Sequence, residues 1–302
     1  MSFKSSNYLH PKHWPTWLGI ALIRFFGLLP WKAQQSLGSC LGMLAFHLAK
    51  SRRRVSQTNI DLAFPELNQT ERDAMLKQHF KSNGKGLTEL GTFWWMSDEQ
   101  YKSISTIHGR EHLDTAQQAG NVLLLGVHFT SLESGVRALK AHGYSMQGMY
   151  KPAKDPLFEN FMCAQRDRHY AGMISNRESK RFIKDLCNGQ MSWYAPDQSF
   201  NKSVIFAPFF GLQTASLTAT SKIAKIAKAQ VLPMFGIRRA DGSGYDIHIL
   251  PALANFPSDD DYADTCKVNA TMEKMIRYAP EQYLWGHRRF KNLEDGTNPY
   301  KK

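Results

Sequence analysis

From about residue 55 the chain alternates short apolar runs with longer stretches of helical pattern. VLLLGV (122–127), MSWYA (191–195), VLPMFGI (231–237) and YDIHIL (245–250) are the apolar runs, and their length predicts strands. Between them, residues 132–142, 157–170, 178–188 and 215–229 predict helices, with Gly143 and Gly189 where helix stops belong. Residues 71–96 predict an earlier helix and 261–278 a late one. This alternation predicts an α/β domain around a largely buried sheet with several parallel strands. No Pro/Gly/Ser-rich linker interrupts it, so residues 55–302 are expected to form one domain.

Residues 1–54 follow another pattern. TWLGIALIRFFGLLP (16–30) and LGSCLGMLAFHLA (37–49) are apolar, and KSRRR (50–54) follows them. Each uninterrupted stretch is shorter than the ~20 residues a spanning helix needs, with Arg24 inside the first and Pro30 at its end. The pair reads as amphipathic or hairpin helices seated in a membrane surface, or as one tilted span extended by its neighbour; core helices packed on the domain are the other reading. Six large aromatics (Trp14, Trp17, Phe25, Phe26, Trp31 and Phe46) favour the membrane. Arg52, Arg53 and Arg54 then belong on the anionic cytoplasmic side. LGSC (37–40) imitates a lipoprotein cleavage box, but Pro30, Trp31, Lys32, Gln34 and Gln35 stand where its apolar core should be. The segment is expected to stay on.

Composition sharpens the picture in one respect. Thirty-eight Lys and Arg against 26 Asp and Glu give a formal charge of +12, which suits an anionic partner: nucleic acid, acidic lipid or an acidic protein. No recognisable nucleic-acid module with aromatics among its basic residues is found. Cys40, Cys163, Cys187 and Cys266 are scattered without a CxxC pair, as expected of free thiols in a reducing compartment. Lys222, Lys225 and Lys228 form a basic stripe, either a solvated face or a dock for an acidic partner.

Candidate chemistry collects where strands end. GVHFTSLE (126–133) puts His128 just past the most apolar strand, five residues before Glu133. That spacing suits neither a helix face nor a strand face, so the chain must turn between them. One reading makes His128 a general base oriented by Glu133. The other makes Thr130-Ser131-Leu132-Glu133 a capping box. Asp197 follows MSWYA as His128 follows VLLLGV. GxSxG, GxGxxG and GxxxxGK[ST] are absent. A base without a nucleophile of its own points to transfer onto a substrate hydroxyl. HGREH (108–112) matches a zinc signature only formally, because Gly109 sits at a turn.

GVHFTSLE, WYAPDQ (193–198), FAPFFG (206–211), PEQYLWGHRRFK (280–291) and RRRVSQTNIDLAFPEL (52–67), in that chain-wide arrangement, closely resemble the late acyltransferases of bacterial lipid A biosynthesis, of the lauroyltransferase type. The resemblance implies an α/β fold like that of glycerol-3-phosphate acyltransferases, with flanking helices and N-terminal membrane-associated helices, on the cytoplasmic face of the inner membrane. It implies transfer of a fatty acyl chain from acyl carrier protein to the 3-hydroxyl of an acyl chain on an anionic, Kdo-bearing lipid A precursor. No cofactor, metal or nucleic acid is implied; the alternative is another glycolipid or glycerol phosphate as acceptor. The family's His-x4-Asp/Glu dyad falls on His128 and Glu133, its arginine on Arg166, with Arg168 second, and its Pro-Asp-Gln aspartate on Asp197. Arg166 is expected to steady an oxyanion or a lipid phosphate, and Asp197 to position Arg166 or the substrate. Two departures stand out. Ser199, Phe200 and Asn201 replace the acid and glycine usual after Pro-Asp-Gln, and Lys151 stands where Tyr-Arg-Pro has arginine, losing any bidentate contact.

Overall fold

The computed structural model describes residues 4–301. In chain order the main elements are α1 (Trp14–Leu28), α2 (Trp31–Leu48), α3 (Lys50–Ala63), α4 (Gln69–Trp95), α5 (Asp98–Ser103), β1 (Ser105–His108), α6 (Arg110–Ala119), β2 (Asn121–Leu125), α7 (Leu132–Ala141), β3 (Gln147–Tyr150), α8 (Pro156–Arg166), β4 (Gly172–Ser175), α9 (Ser179–Cys187), β5 (Ser192–Tyr194), β6 (Val204–Phe209), β7 (Leu212–Leu217), α10 (Ala219–Ala227), β8 (Ala229–Arg238), β9 (Tyr245–Ile249) and α11 (Asp261–Tyr278).

Seven strands form one sheet in the order β1-β9-β8-β2-β5-β3-β4, parallel throughout except where β8 meets β9. The α/β expectation holds. β2 is central, and its residues alternate between two buried layers, Leu123 and Leu125 on one face and Val122 and Leu124 on the other. Burial on both faces is why this strand reads as a continuous apolar run.

One helix was expected too long. Residues 215–217 belong to β7, which pairs antiparallel with β6 in a separate hairpin. Phe210 and Gly211 at its turn both have positive φ, as a two-residue type I′ connection requires. Helix α10 starts only at Ala219. On it, Lys222 and Lys225 face Asp261 and Asp259 at 3.1 and 2.5 Å, so most of the basic stripe is met from within the chain. In HGREH, Gly109 at φ +77 separates β1 from α6, and His108 pairs with Asp246 and stacks on His248.

Helices α1 and α2 lie on the long helix α4, which opens with a capping box between Asn68 and Glu71. Contact is backbone to backbone: Gly27 faces Gly91 and Gly42 faces Gly84, and a Cβ at any of the four would collide with the facing helix. Small residues at a helix crossing permit this approach. The outer side is apolar. Trp14, Leu18, Leu22, Phe25 and Leu28 form an exposed stripe along α1 at helical spacing, and Leu44 and Leu48 continue it on α2. Of the six aromatics expected as anchors, Trp14 and Phe25 are exposed, whereas Trp17, Phe26, Trp31 and Phe46 are half-buried. Trp31 donates to the Gly242 carbonyl, and Phe46 packs edge-on against Phe80. Among the described residues no helix is long and apolar enough to cross a membrane.

Candidate active site

Strands β2 and β5 run parallel in a register that pairs Leu125 with Tyr194. His128 and Asp197 each lie three residues further on, so two neighbouring strands deliver them side by side at the sheet's carboxyl edge. Gly126 continues the ladder by donating to the Tyr194 carbonyl at 2.9 Å. A side chain there would strike the Trp193 ring, so glycine is required for this close approach.

His128 Nδ1 lies 2.6 Å from Asp197 Oδ1, and the His128 amide donates to Asp197 Oδ2 at 3.0 Å. Asp197 is fully buried and His128 partly exposed. Burial would lower the imidazole's pKa, but the adjacent carboxylate outweighs it, and the pKa stands above the ordinary histidine value. Burial likewise disfavours a charged Asp197, yet the imidazole, the His128 amide and the Tyr283 hydroxyl hold its pKa below the usual carboxylate range. With Nδ1 committed, Nε2 is the nitrogen left for a substrate.

This corrects the expected pairing of His128 with Glu133. Glu133 stands in the first turn of α7 and faces α8. There its Oε1 accepts from Arg166 Nε at 2.8 Å and from Arg166 Nη2, while Oε2 accepts from the Tyr170 hydroxyl at 3.3 Å. The irregular segment 126–131, which turns between Phe129 and Leu132, lets the imidazole lean toward β5 while the helix carries the carboxylate toward α8. The capping-box reading fails as well: Ser131 is the N-cap without capping through its side chain, and its hydroxyl donates to the Gly236 carbonyl at 2.9 Å. Asp197 therefore orients His128 rather than Arg166. Arg168, the alternative arginine, reaches the Trp94 carbonyl and Gln165 instead.

A pocket of about 250 Å³ opens beside these groups, lined by His128, Lys151 and Arg166 with Leu132, Met149, Met162, Met173 and Trp193 among its apolar walls. Glu133 stands behind Arg166 and raises its pKa further despite burial, so the guanidinium is permanently charged. The site thus combines an oriented imidazole, a fixed cation and an apolar recess.

The chain matches the family model described as bacterial lipid A biosynthesis acyltransferase over residues 1–292. It is 36% identical over 300 residues to the lipid A biosynthesis lauroyltransferase of Escherichia coli (strain K12), covering 97% of this chain and 96% of that one. The chain belongs to the bacterial lipid A biosynthesis acyltransferase family. It is an acyltransferase. Its similarity extends to the palmitoleoyltransferase of the same organism, at 34% over 97% of this chain and 96% of the relative. The corresponding figures for the myristoyltransferase are 26%, 98% and 93%.

Several residues that hold this candidate site together carry no signal for it in the pattern of the sequence. From the segment 280–291, the Gln282 carbonyl accepts the Thr130 amide at 2.8 Å and Leu284 donates to the His128 carbonyl at 2.9 Å. Asn59, within RRRVSQTNIDLAFPEL, ties that segment down by donating to the carbonyls of Trp285 and His287 at 2.5 and 2.6 Å. Arg289 is buried and donates to the Ala215 carbonyl at 2.8 Å and Ser216 Oγ at 2.9 Å, anchoring the β6–β7 hairpin. The departure after Pro-Asp-Gln is accommodated without an acid: the Ser199 amide donates to His287 Nε2 at 3.2 Å, and Asn201 accepts from Asn292.

Proposed function

We propose that this acyltransferase moves a fatty acyl chain, lauroyl by the likeness of its GVHFTSLE segment, from acyl carrier protein to the 3-hydroxyl of an acyl chain on a Kdo-bearing lipid A precursor. The observation that carries the reading is His128, braced by buried Asp197 and lining an apolar pocket beside Arg166. His128 Nε2 takes the proton of the acceptor hydroxyl, and the oxygen attacks the thioester carbonyl carbon. Asp197 stabilises the imidazolium that forms. Arg166, held rigid by Glu133, faces the negative charge that develops on the carbonyl oxygen. Collapse breaks the carbon–sulfur bond, and the imidazolium returns the proton to the leaving thiolate. No covalent acyl-enzyme is needed, which fits the absence of a serine elbow in the sequence.

The exposed stripe on α1 suits the cytoplasmic face of the inner membrane, where both the donor's acyl chain and the acceptor could reach the pocket. Thr16 of α1 donates to Asp155 at the start of α8 at 3.0 Å, which ties the stripe to a pocket wall. The kinship with glycerol-3-phosphate acyltransferases belongs to the same reading. Purified protein given acyl carrier protein thioesters and, separately, the lipid A precursor, other glycolipids or glycerol phosphate should transfer to the first acceptor only. His128→Ala should cut turnover by about 10²–10⁴-fold. Near-normal turnover in that variant, with folding intact, contradicts the scheme.

A further inference from the structure

The turn that carries His128 is braced on its far side by a buried ionic relay that the scheme above leaves unused. Thr130 Oγ1, two residues past His128, accepts from Arg238 Nη1 at 2.8 Å and shares a hydrogen bond with Ser82 Oγ at 2.7 Å. Arg238 Nε donates to Glu89 Oε1 at 2.6 Å, and Gln35 Nε2 of helix α2 donates to the same oxygen at 2.7 Å. Glu89 is wholly buried and Arg238 nearly so. The backbone is clamped too: the Arg238 amide donates to Gln282 Oε1 at 2.9 Å, while the Gln282 carbonyl accepts the Thr130 amide at 2.8 Å. Helix α4 presses so closely on the turn at Gly86 that a Cβ there would collide with the Thr130 carbonyl.

A buried ion pair adds little net stability over a well-packed apolar pair. What a guanidinium fork offers that apolar packing does not is direction. We propose that Arg238 and Glu89 are positioning residues for His128, and that Gln35 ties the geometry of the catalytic turn to the seating of the α1–α2 pair on α4. The proposal rests on His128 being the base. The apolar helices at the lipid surface then belong to the catalytic unit, because their displacement from α4 removes a donor from Glu89 and loosens the fork that holds Thr130.

Thr130→Val keeps the shape and deletes the acceptor; Thr130→Ser restores it. In full-length protein with acyl carrier protein thioester and lipid A precursor, Thr130→Val should lower kcat by about 10–100-fold, the scale of a small misplacement at a reacting group. Both KM values should stay within about twofold, and Thr130→Ser should keep at least about half of the parent's kcat. Gln35→Leu should lower kcat by about threefold to tenfold with the same KM pattern. Valine and serine variants that behave alike, or a loss carried by KM, overturn the proposal; an unchanged Gln35→Leu overturns its α2 arm. Should Thr130→Val fail to fold, Arg238→Lys keeps the charge against Glu89 without the fork that reaches Thr130, and its full turnover overturns the proposal equally. A parent enzyme that transfers no acyl group would sink the functional reading instead, so the two failures are distinguishable.

Discussion

Asp197 and Glu133 both stand near the pocket, and they serve opposite purposes. Asp197 is wholly buried, follows the strand beside the one that leads into His128, and holds the imidazole that we propose gains and loses a proton. Glu133 follows His128 closely in sequence, yet it pairs with a guanidinium that never titrates in the working range. Closeness along the chain therefore points to the wrong acid, and closeness across the sheet to the right one. The lesson is about register: parallel strands in step bring residues 69 positions apart to hydrogen-bonding distance.

The largest effect among the acids is expected from Asp197→Asn, which leaves the ring without its charge and free to adopt the wrong tautomer; turnover should fall by about 10²–10⁴-fold in steady-state transfer assays, no further than in His128→Ala. Glu133→Gln should cost about 10–100-fold in kcat, because Arg166 stays in place but loses its partner, and the same assay would expose an equal or larger loss. On the lipid side, Phe25→Glu should weaken binding to anionic vesicles by about tenfold or more in sedimentation, since one apolar side chain is worth about 1.5–3 kcal/mol. Unchanged binding would remove the α1 stripe from the account.

The smallest effect concerns stability. His79 is buried between Ser56 and Asn83, and desolvation lowers its pKa to about 4. The folded state then binds fewer protons than the unfolded chain between that value and the ordinary 6.5. Its contribution is constant above pH about 6.5 and shrinks as pH falls toward 4. His79→Gln should flatten the drop in melting temperature over that window, as scanning calorimetry would show.

Much of the fold was legible because burial writes itself into pattern. β2, β5, β8 and β9 sit on or within a residue or two of the apolar runs, and α11 matches 261–278 at both ends. β3 (QGMY) and β4 (GMIS) went unseen, since four residues containing glycine and polar groups make no run, and parallel neighbours rather than composition make them strands. TASLTATSK passes from strand to helix without a breaker, so its pattern reads as helix throughout, and only pairing with β6 reveals where β7 ends. In the site, the sequence placed His128 and Asp197 at strand ends. It does not show that those strands are neighbours, so the resemblance leaves Asp197 to Arg166 or the substrate and pairs Glu133 with His128. The supports were invisible for the same reason: Tyr170, Gln282 and Arg238 matter through contacts that no local spacing encodes.

The pH dependence of kcat in Asp197→Asn and Glu133→Gln distinguishes which acid holds the imidazole. The base must be neutral to work, so activity in the parent rises with pH through the His128 pKa, which Asp197 holds above the ordinary value. Without that carboxylate, burial alone acts, and the acid limb of Asp197→Asn should move to lower pH while that of Glu133→Gln stays with the parent. A limb that moves in Glu133→Gln and stays put in Asp197→Asn would return the imidazole to Glu133 and contradict the account.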